Sequence, residues 1–278
     1  MKFFYAIILY RIFSRRMMFS MRRVLFFFLF LSLMLSLPSF AKRFTQGFRL
    51  AKLRLDFPYH PEWETDPNPA IQSILEQKYS FIGKGAQSYV FESEDGKYVI
   101  KLFRYDQPSS ETKIIHLFNA CKMAYDSLRD ETGLVYVHLN PTPMNLPTLQ
   151  CKDPIGRNYK FALDHYRFAL QKKATPFRQT LIAAQSDPLL MQKRIDQFIA
   201  LLKARTNKEI LNTDSNLSRN FGFLEDRSIE FDFGNYRRCP GLNRKNEIRR
   251  YALKLRRWLK RHAPHWVSYL DEQLKEIE

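Results

Sequence analysis

Short β-rich runs fill residues 79–172, and helical periodicity takes over from Pro176; this division constrains the fold more than any single motif. Phe81-Ile82, Tyr89-Val90-Phe91 and Tyr98-Val99-Ile100 are β-prone, and Glu94-Asp95-Gly96 between the last two carries the Asp-Gly pair of a tight hairpin. Leu134–Leu139 and Tyr166–Gln171 read as further strands, and Thr148–Gln150 with Tyr159–Leu163 as a hairpin around Asp153-Pro154-Ile155-Gly156. One helix interrupts this series. Ser109 or Ser110 caps it, and Ile114, Leu117, Phe118, Cys121, Ala124, Tyr125 and Leu128 recur at three- and four-residue steps. Beyond Ser186-Asp187-Pro188, a cap followed by proline in the first turn, Met191, Ile195, Phe198 and Leu202 share one face of a long helix. Ile248 to Leu259 predict another helix ended by Pro264, and Trp266, Leu270, Leu274 and Ile277 a last one. The expectation is an α+β chain: five or six strands and one helix in a small sheet at 79–172, then helices over 173–278.

A chain of 278 residues with 45% apolar content can bury a core. Its first 41 residues differ in kind, with six basic residues and no acid. Arg22-Arg23 precede the apolar run Val24–Leu37, and small residues Ser39 and Ala41 follow Pro38, which is the layout of a secretory signal peptide over 1–41. Met17, Met18 and Met21 are alternative starts. Fourteen apolar residues fall short of the roughly 20 that a spanning helix needs. The expected localisation is export across the inner membrane, periplasmic or secreted, with membrane association through a retained leader as the alternative. Removing the leader would lower the net charge from +17 to +11. Residues 42–78 mix bases, aromatics and prolines and read as an extended arm, with a short helix near Ile71–Gln77. Cys121, Cys151 and Cys239 allow at most one disulfide within a monomer, and their spacing fits no metal motif.

The remaining excess charge is local. Residues 237–261 hold eleven Arg or Lys and one acid, Glu247, around the apolar stripe of the predicted helix. So few acids point to an anionic neighbour, for which a membrane surface suits an exported chain better than nucleic acid.

The stretch Asn212–Asn235 carries chemistry. Asp214, Asn220 and Asp232-Phe233-Gly234 supply hard oxygen ligands in the order that metal-assisted phosphoryl transfer requires. Upstream, Gly83-Lys84-Gly85 between two strands lets a backbone approach a polyphosphate, and Lys101 at the end of the third strand can meet phosphate oxygens as a point charge. Each piece alone also has a plain reading: a turn, an edge lysine, loop and strand-end acids.

Taken in order, Gly83-Lys84-Gly85 to Val90, Val99-Ile100-Lys101, a helix, strands, a long helix, Asp214 with Asn220, and Asp232-Phe233-Gly234 resemble the protein-kinase-like fold, over about residues 79–236. The resemblance implies two lobes, a small antiparallel β-sheet lobe with one helix over 79–172 and a reduced helical lobe over 173–278. It implies ATP with Mg²⁺ or Mn²⁺. Gly83, Gly85 and Ser88 would cover the phosphates, and Lys101 would pair with the α- and β-phosphates. Glu111 would pair with Lys101, unless it merely complements the helix N-terminus. Asp214 would orient the acceptor hydroxyl, Asn220 and Asp232 would hold the metal, and Phe168–Gln171 would run beside the base. Asn212-Thr213 stands where the family has His-Arg, Asn220 lies one position late, and no Ala-Pro-Glu follows Gly234. These departures leave two readings: an atypical kinase acting on an unknown protein or small-molecule acceptor, or a pseudokinase serving as a nucleotide- or partner-binding module at a membrane surface.

Overall fold

The computed structural model describes residues 25–105, 110–275 and 277, in two units, Met1–Phe48 and Arg49–Glu278. Arg22, Arg23, Val24, the alternative start methionines and the cap candidate Ser109 lie outside the described residues.

In the first unit, α1 (Leu25–Phe44) is a 20-residue helix with mean hydropathy 1.8. It runs past the fourteen-residue apolar stretch, through Pro38 and Ala41. At 1.5 Å per residue it has the length of a bilayer core, so the shortfall expected from the sequence does not apply. An apolar helix of this kind near the N-terminus is consistent with a signal sequence or a membrane anchor.

The second unit is mixed α/β. Its main sheet is built from β1 (Lys78–Lys84), β2 (Ser88–Ser93), β3 (Tyr98–Phe103), β4 (Leu134–His138), β5 (Thr148–Lys152), β6 (Asn158–Ala162) and β7 (Phe168–Lys172), in the order β4-β7-β3-β2-β1-β5-β6. The expectation of a small antiparallel sheet does not hold. The β5–β6 hairpin docks on the free edge of β1 in parallel register, Lys78 to Ser80 against Gln150 to Lys152, which makes the sheet seven-stranded and mixed. Backbone groups of the β1 edge would otherwise lack strand partners.

Local chemistry explains the turns. Gly96 takes φ 70° in the β2–β3 hairpin, and Asp95 accepts hydrogen bonds from the Ser93 hydroxyl at 2.6 Å and from the Lys97 N–H at 2.9 Å. Tyr89, Phe91 and Ser93 alternate onto the buried face of β2, while Phe168 to Gln171 of β7 are buried throughout because β7 lies inside the sheet.

Helix α2 (Pro69–Leu75) precedes the sheet, and α3 (Glu111–Ser127) packs on it with Ile114, Leu117, Phe118, Cys121, Ala124 and Tyr125 buried. Phe118 meets the rings of Trp63 at 5.1 Å and Phe103 at 5.3 Å in edge contacts. Trp63 is 1% exposed and donates its Nε1–H to Asn119 Oδ1 at 2.7 Å. The buried Arg167 donates to the carbonyls of Leu139, Leu55 and Phe57 at 2.8, 2.9 and 3.2 Å. The segment expected as an arm is therefore tied to α3 by the Trp63 indole and to the end of the sheet by the Arg167 guanidinium. A short α4 (Arg129–Thr132) ends at Gly133, whose φ of 68° lets the chain turn into β4.

After β7 come β8 (Thr175–Pro176), α5 (Phe177–Ala183) and α6 (Pro188–Asn207). Asp187 caps α6 by accepting from the Leu190 N–H at 3.0 Å, and the expected face of Met191, Ile195, Phe198 and Leu202 is buried. With α8 (Arg244–His262) and α9 (Val267–Lys275) it encloses a second apolar core. Between these helices run β9 (Ile210–Asn212), α7 (Leu217–Asn220), β10 (Phe221–Phe223), β11 (Ser228–Glu230) and β12 (Tyr236–Arg238). β12 pairs back on β9, with Tyr236 opposite Asn212. All three cysteines are free. Burial pushes the Cys151 thiol up to about 12, so it behaves as a small apolar group.

Candidate functional site

A cleft of about 690 Å³ opens between the β1–β2 turn, the inner strands β3 and β7, and residues 214–234. Gly83, Gly85, Ser88, Lys101, Asp214, Asn220 and Asp232 all line it. The eighth candidate, Glu111, does not: it is the exposed first residue of α3. On that helix Leu117 faces the cleft instead.

The β1–β2 turn is pinned by the Gly85 N–H donating to the Ser88 carbonyl at 2.8 Å and by the Arg104 Nε–H donating to the Gly85 carbonyl at 3.2 Å. Neither Gly83 nor Gly85 has a left-handed φ, and a Cβ at Gly83 would meet nothing within 4 Å. These glycines therefore keep side-chain volume out of the cleft rather than supply an unusual backbone angle. Gly234 is different: a Cβ there would lie 2.7 Å from Gln87 Oε1 and 3.1 Å from Leu117 Cδ1, so this glycine permits the close approach of the turn and α3.

Lys101 sits in mid-sheet, opposite Val90 of β2 and Ala169 of β7. Part of its stem is accessible, but the ammonium group is enclosed. It donates to the Phe231 carbonyl and stands 5.6 Å from the Phe231 ring centroid and 5.2 Å from that of Phe233. The predicted pairing with Glu111 is replaced by this carbonyl and these rings, because Glu111 begins α3 at the exposed end. Burial lowers the Lys101 pKa, and the charge of Asp232 opposes that shift.

Residues 212–220 fold on themselves through side-chain amides. Asn212 Oδ1 accepts from the Asp214 N–H at 2.8 Å, and its Nδ2 donates to Glu230 Oε1 at 2.7 Å and to the Asp232 carbonyl at 3.4 Å. Asn212 thus couples the loop that carries Asp214 to the strand end that carries Asp232. Asp214 Oδ1 accepts from the Asn216 N–H at 3.0 Å, and Asn220 Nδ2 donates to the Asp214 carbonyl at 3.0 Å. The Asn220 carbonyl accepts from the Phe231 N–H at 2.7 Å. Asn220 is 1% exposed, and its Oδ1 has no hydrogen-bond partner among the described residues.

This donor set fits a small hard cation. Asn220 Oδ1 is an orphaned acceptor on the cleft wall, and the Asp232 carboxylate lies on the same wall, exposed to the cleft. Mg²⁺ is commonly held by one or two protein oxygens, with waters and phosphates completing its octahedron. No group of three or more His, Cys, Asp or Glu that could hold a metal occurs among the described residues, and such a site does not need one.

Behind the loop lies a buried charge network. Arg205, fully buried on α6, pairs with Glu230 at 3.2 Å and Glu247 at 3.0 Å. Glu230 Oε2 also accepts from the Tyr236 hydroxyl at 2.9 Å. Desolvation lowers the Arg205 pKa, but Glu230, Tyr251, Tyr236 and Glu247 together outweigh it and the guanidinium is held more firmly protonated than usual.

Two cleft residues have features that the sequence did not show: Gln171, expected only as part of the strand beside the base, and Arg219. Gln171 Oε1 is buried with no partner among the described residues, while its Nε2 donates to the Thr132 carbonyl at 2.6 Å. Nothing in the sequence distinguishes this glutamine from an ordinary strand residue. Arg219 brings a cation to the wall beside Asn220, and its adjacency to that asparagine was the available signal. Compared with known proteins, the chain matches no protein-family model and no curated sequence.

Proposed function

We propose that the chain is an atypical kinase-like protein that binds ATP with Mg²⁺ or Mn²⁺ in this cleft and transfers the γ-phosphoryl group to an acceptor. One observation carries the reading: seven residues from four separated segments, each chosen for phosphate or metal chemistry, line a single cleft. The β1–β2 turn would cover the phosphates, Lys101 and Arg219 would neutralise them, and Asn220 with Asp232 would hold the metal. Asp214 would orient the acceptor hydroxyl and take its proton. The bound metal would supply charge neutralisation on the transferring phosphoryl group. Of the 168–171 strand expected beside the base only Gln171 lines the cleft, so Gln171 with Lys172, Lys173, Ala174 and Pro176, where the chain leaves β7, would run beside the base. A two-lobed protein-kinase-like arrangement is supported by this placement of one cleft between the sheet and the helical core.

The reading includes export across the inner membrane and association with an anionic surface, supported by α1 and by the basic 237–261 segment. Part of that segment is neutralised internally, since Arg250 pairs with Glu247 at 3.0 Å and Arg256 with Asp271 at 2.8 Å.

A second reading, a nucleotide- or partner-binding module without turnover, is favoured by Lys101, which has no carboxylate from α3 beside it and rests on a main-chain carbonyl. One experiment tests both. The full chain in detergent is titrated with ATP, with and without Mg²⁺ or Mn²⁺, and thermal stability is followed for wild type, Lys101→Ala and Asp232→Ala. Metal-dependent stabilisation by ATP, lost in both variants, is the expected result; its absence in wild type would sink the kinase and the nucleotide-binding module and leave only a partner-binding one. Phosphate release or transfer that Asp214→Asn lowers by about 10²–10⁴-fold selects the enzyme over the module.

A further inference from the structure

Asp214 lines two cavities. Besides the cleft, it borders a pocket of about 570 Å³ formed by residues 214–218, the start of α5 and the last turns of α8. Lys254, Arg257 and Arg261 follow one another at steps of three and four along α8 and so share a face, and Arg178 of α5 lines the same pocket. Lys254 donates to the Ser215 carbonyl and hydroxyl, both at 2.6 Å, and fixes α8 against the Asp214 loop. Among the described residues, Arg178, Lys254, Arg257 and Arg261 form no ion pair, and Asp214 is the sole acid on the pocket wall. Other cations on α8 do find acids, Arg250 with Glu247 and Arg256 with Asp271. Trp258, on the same wall, has a buried Nε1–H with no acceptor among the described residues.

Four cations, one orphaned donor and one carboxylate make a recognisable combination. The cations suit a dianionic group, the indole N–H suits an oxygen acceptor, and the carboxylate suits a hydroxyl. The volume lies within the ordinary range for small-ligand pockets, roughly 300–1,000 Å³. Resting on the phosphotransferase reading, we propose that this pocket is the acceptor site and that the acceptor is a phosphate-bearing polyol, with Arg178, Arg257 and Arg261 on its phosphate and Asp214 on a hydroxyl. In the transfer, the acceptor oxygen forms a bond to the γ-phosphorus as its proton passes to Asp214. The bond from that phosphorus to the β–γ bridging oxygen breaks, and ADP leaves with the electron pair. ATP is the only co-reactant required.

The test is equilibrium binding to the full chain in detergent, with inositol monophosphate as probe and inositol as the neutral control. A parallel arm uses vesicles of phosphatidylcholine with and without phosphatidylinositol phosphate, which separates a free acceptor from a lipid headgroup. The phosphorylated probe, in one arm or both, is expected to bind at least about tenfold more tightly than its neutral control, the loss of charge-assisted hydrogen bonds setting that scale. Arg257→Glu with Arg261→Glu removes the preference, whereas Lys193→Glu, a charge reversal at an exposed position of α6, leaves it. Asp214→Asn strengthens binding of the phosphorylated probe, because a negative charge leaves the wall. Arg257→Gln with Arg261→Gln repeats the loss without adding acid. A preference that survives the double substitutions, or no preference in either arm, overturns the proposal. MgATP binding is measured on the same samples and is expected to be unchanged in the Arg257 and Arg261 variants, which lie outside the cleft. If wild type binds no MgATP yet binds the phosphorylated probe through Arg257 and Arg261, the anion pocket stands, while the phosphotransferase reading and the acceptor role both fall.

Discussion

Asn220 donates its amide hydrogen to the main-chain carbonyl of Asp214 at 3.0 Å, which fixes the amide plane and leaves Oδ1 buried with no partner among the described residues. A buried acceptor left unsatisfied costs roughly 1–3 kcal/mol, and a cation bound there would remove that cost. Asn220→Ala is therefore expected to weaken nucleotide binding at least about tenfold in the presence of Mg²⁺ and little in its absence. Calorimetric titration of ATP with and without the metal checks this, and equal weakening under both conditions would assign Asn220 a purely structural role.

Lys101 gives a pH dependence with a defined sign. Its pKa is lowered, first by burial, with Asp232 opposing. The protonated form binds phosphate, so nucleotide affinity should fall as pH rises through the lowered pKa, in a range where solvated lysines stay charged. Without nucleotide, the unfolded chain binds more protons than the folded one between the two pKa values, so stability rises with pH in that window. Lys101→Met should abolish both trends. Affinity and melting temperature recorded as a function of pH below the usual lysine range provide the measurement.

The Arg205–Glu230–Glu247 network should matter far more than the ion pairs at the surface. Removing one partner of a buried pair strands the other, at a cost of about 3–5 kcal/mol. Arg205→Met or Glu230→Leu should lower the urea midpoint accordingly, and Glu230→Leu should also disturb the Asp214 loop, since Asn212 is anchored on Glu230 at 2.7 Å. Arg256→Ala, which opens the half-exposed pair with Asp271, should leave the midpoint nearly unchanged.

Two glycines should respond in opposite ways. A Cβ at Gly222 would stand 2.7 Å from the Thr175 carbonyl and 3.1 Å from the Phe231 ring, so Gly222→Ala should cost about 1–3 kcal/mol. A Cβ at Gly83 has nothing within 4 Å, so Gly83→Ala should fold as wild type does and, on the nucleotide reading, bind ATP more weakly. Chemical denaturation and nucleotide titration of the two variants separate these effects.

The elements that recur with a strict period were legible in advance. Met191, Ile195, Phe198 and Leu202 are buried on α6 as their spacing requires, and the Asp95-Gly96 hairpin forms where the turn chemistry places it, since both depend on neighbours within one element. Glu111 was not legible: the spacing shows that it opens α3 and says nothing of which end of that helix reaches Lys101. The parallel docking of the β5–β6 hairpin on β1 joins residues about seventy positions apart, and no local pattern encodes it.

By itself the sequence determined most of the main-sheet strands, the long helices, the apolar leader and the residue types that the proposed phosphate site would use, because periodicity, turn residues and oxygen ligands are local properties. Only the tertiary structure decided that Gly83, Lys101, Asp214, Asn220 and Asp232 share one cleft, and that Asp214 also lines a pocket with Lys254, Arg257 and Arg261 of α8. The reason is burial. Arg205 and Asn212 hold the loop in place through charges and amides withdrawn from water, and which groups meet there depends on the packing of helices far apart in the chain.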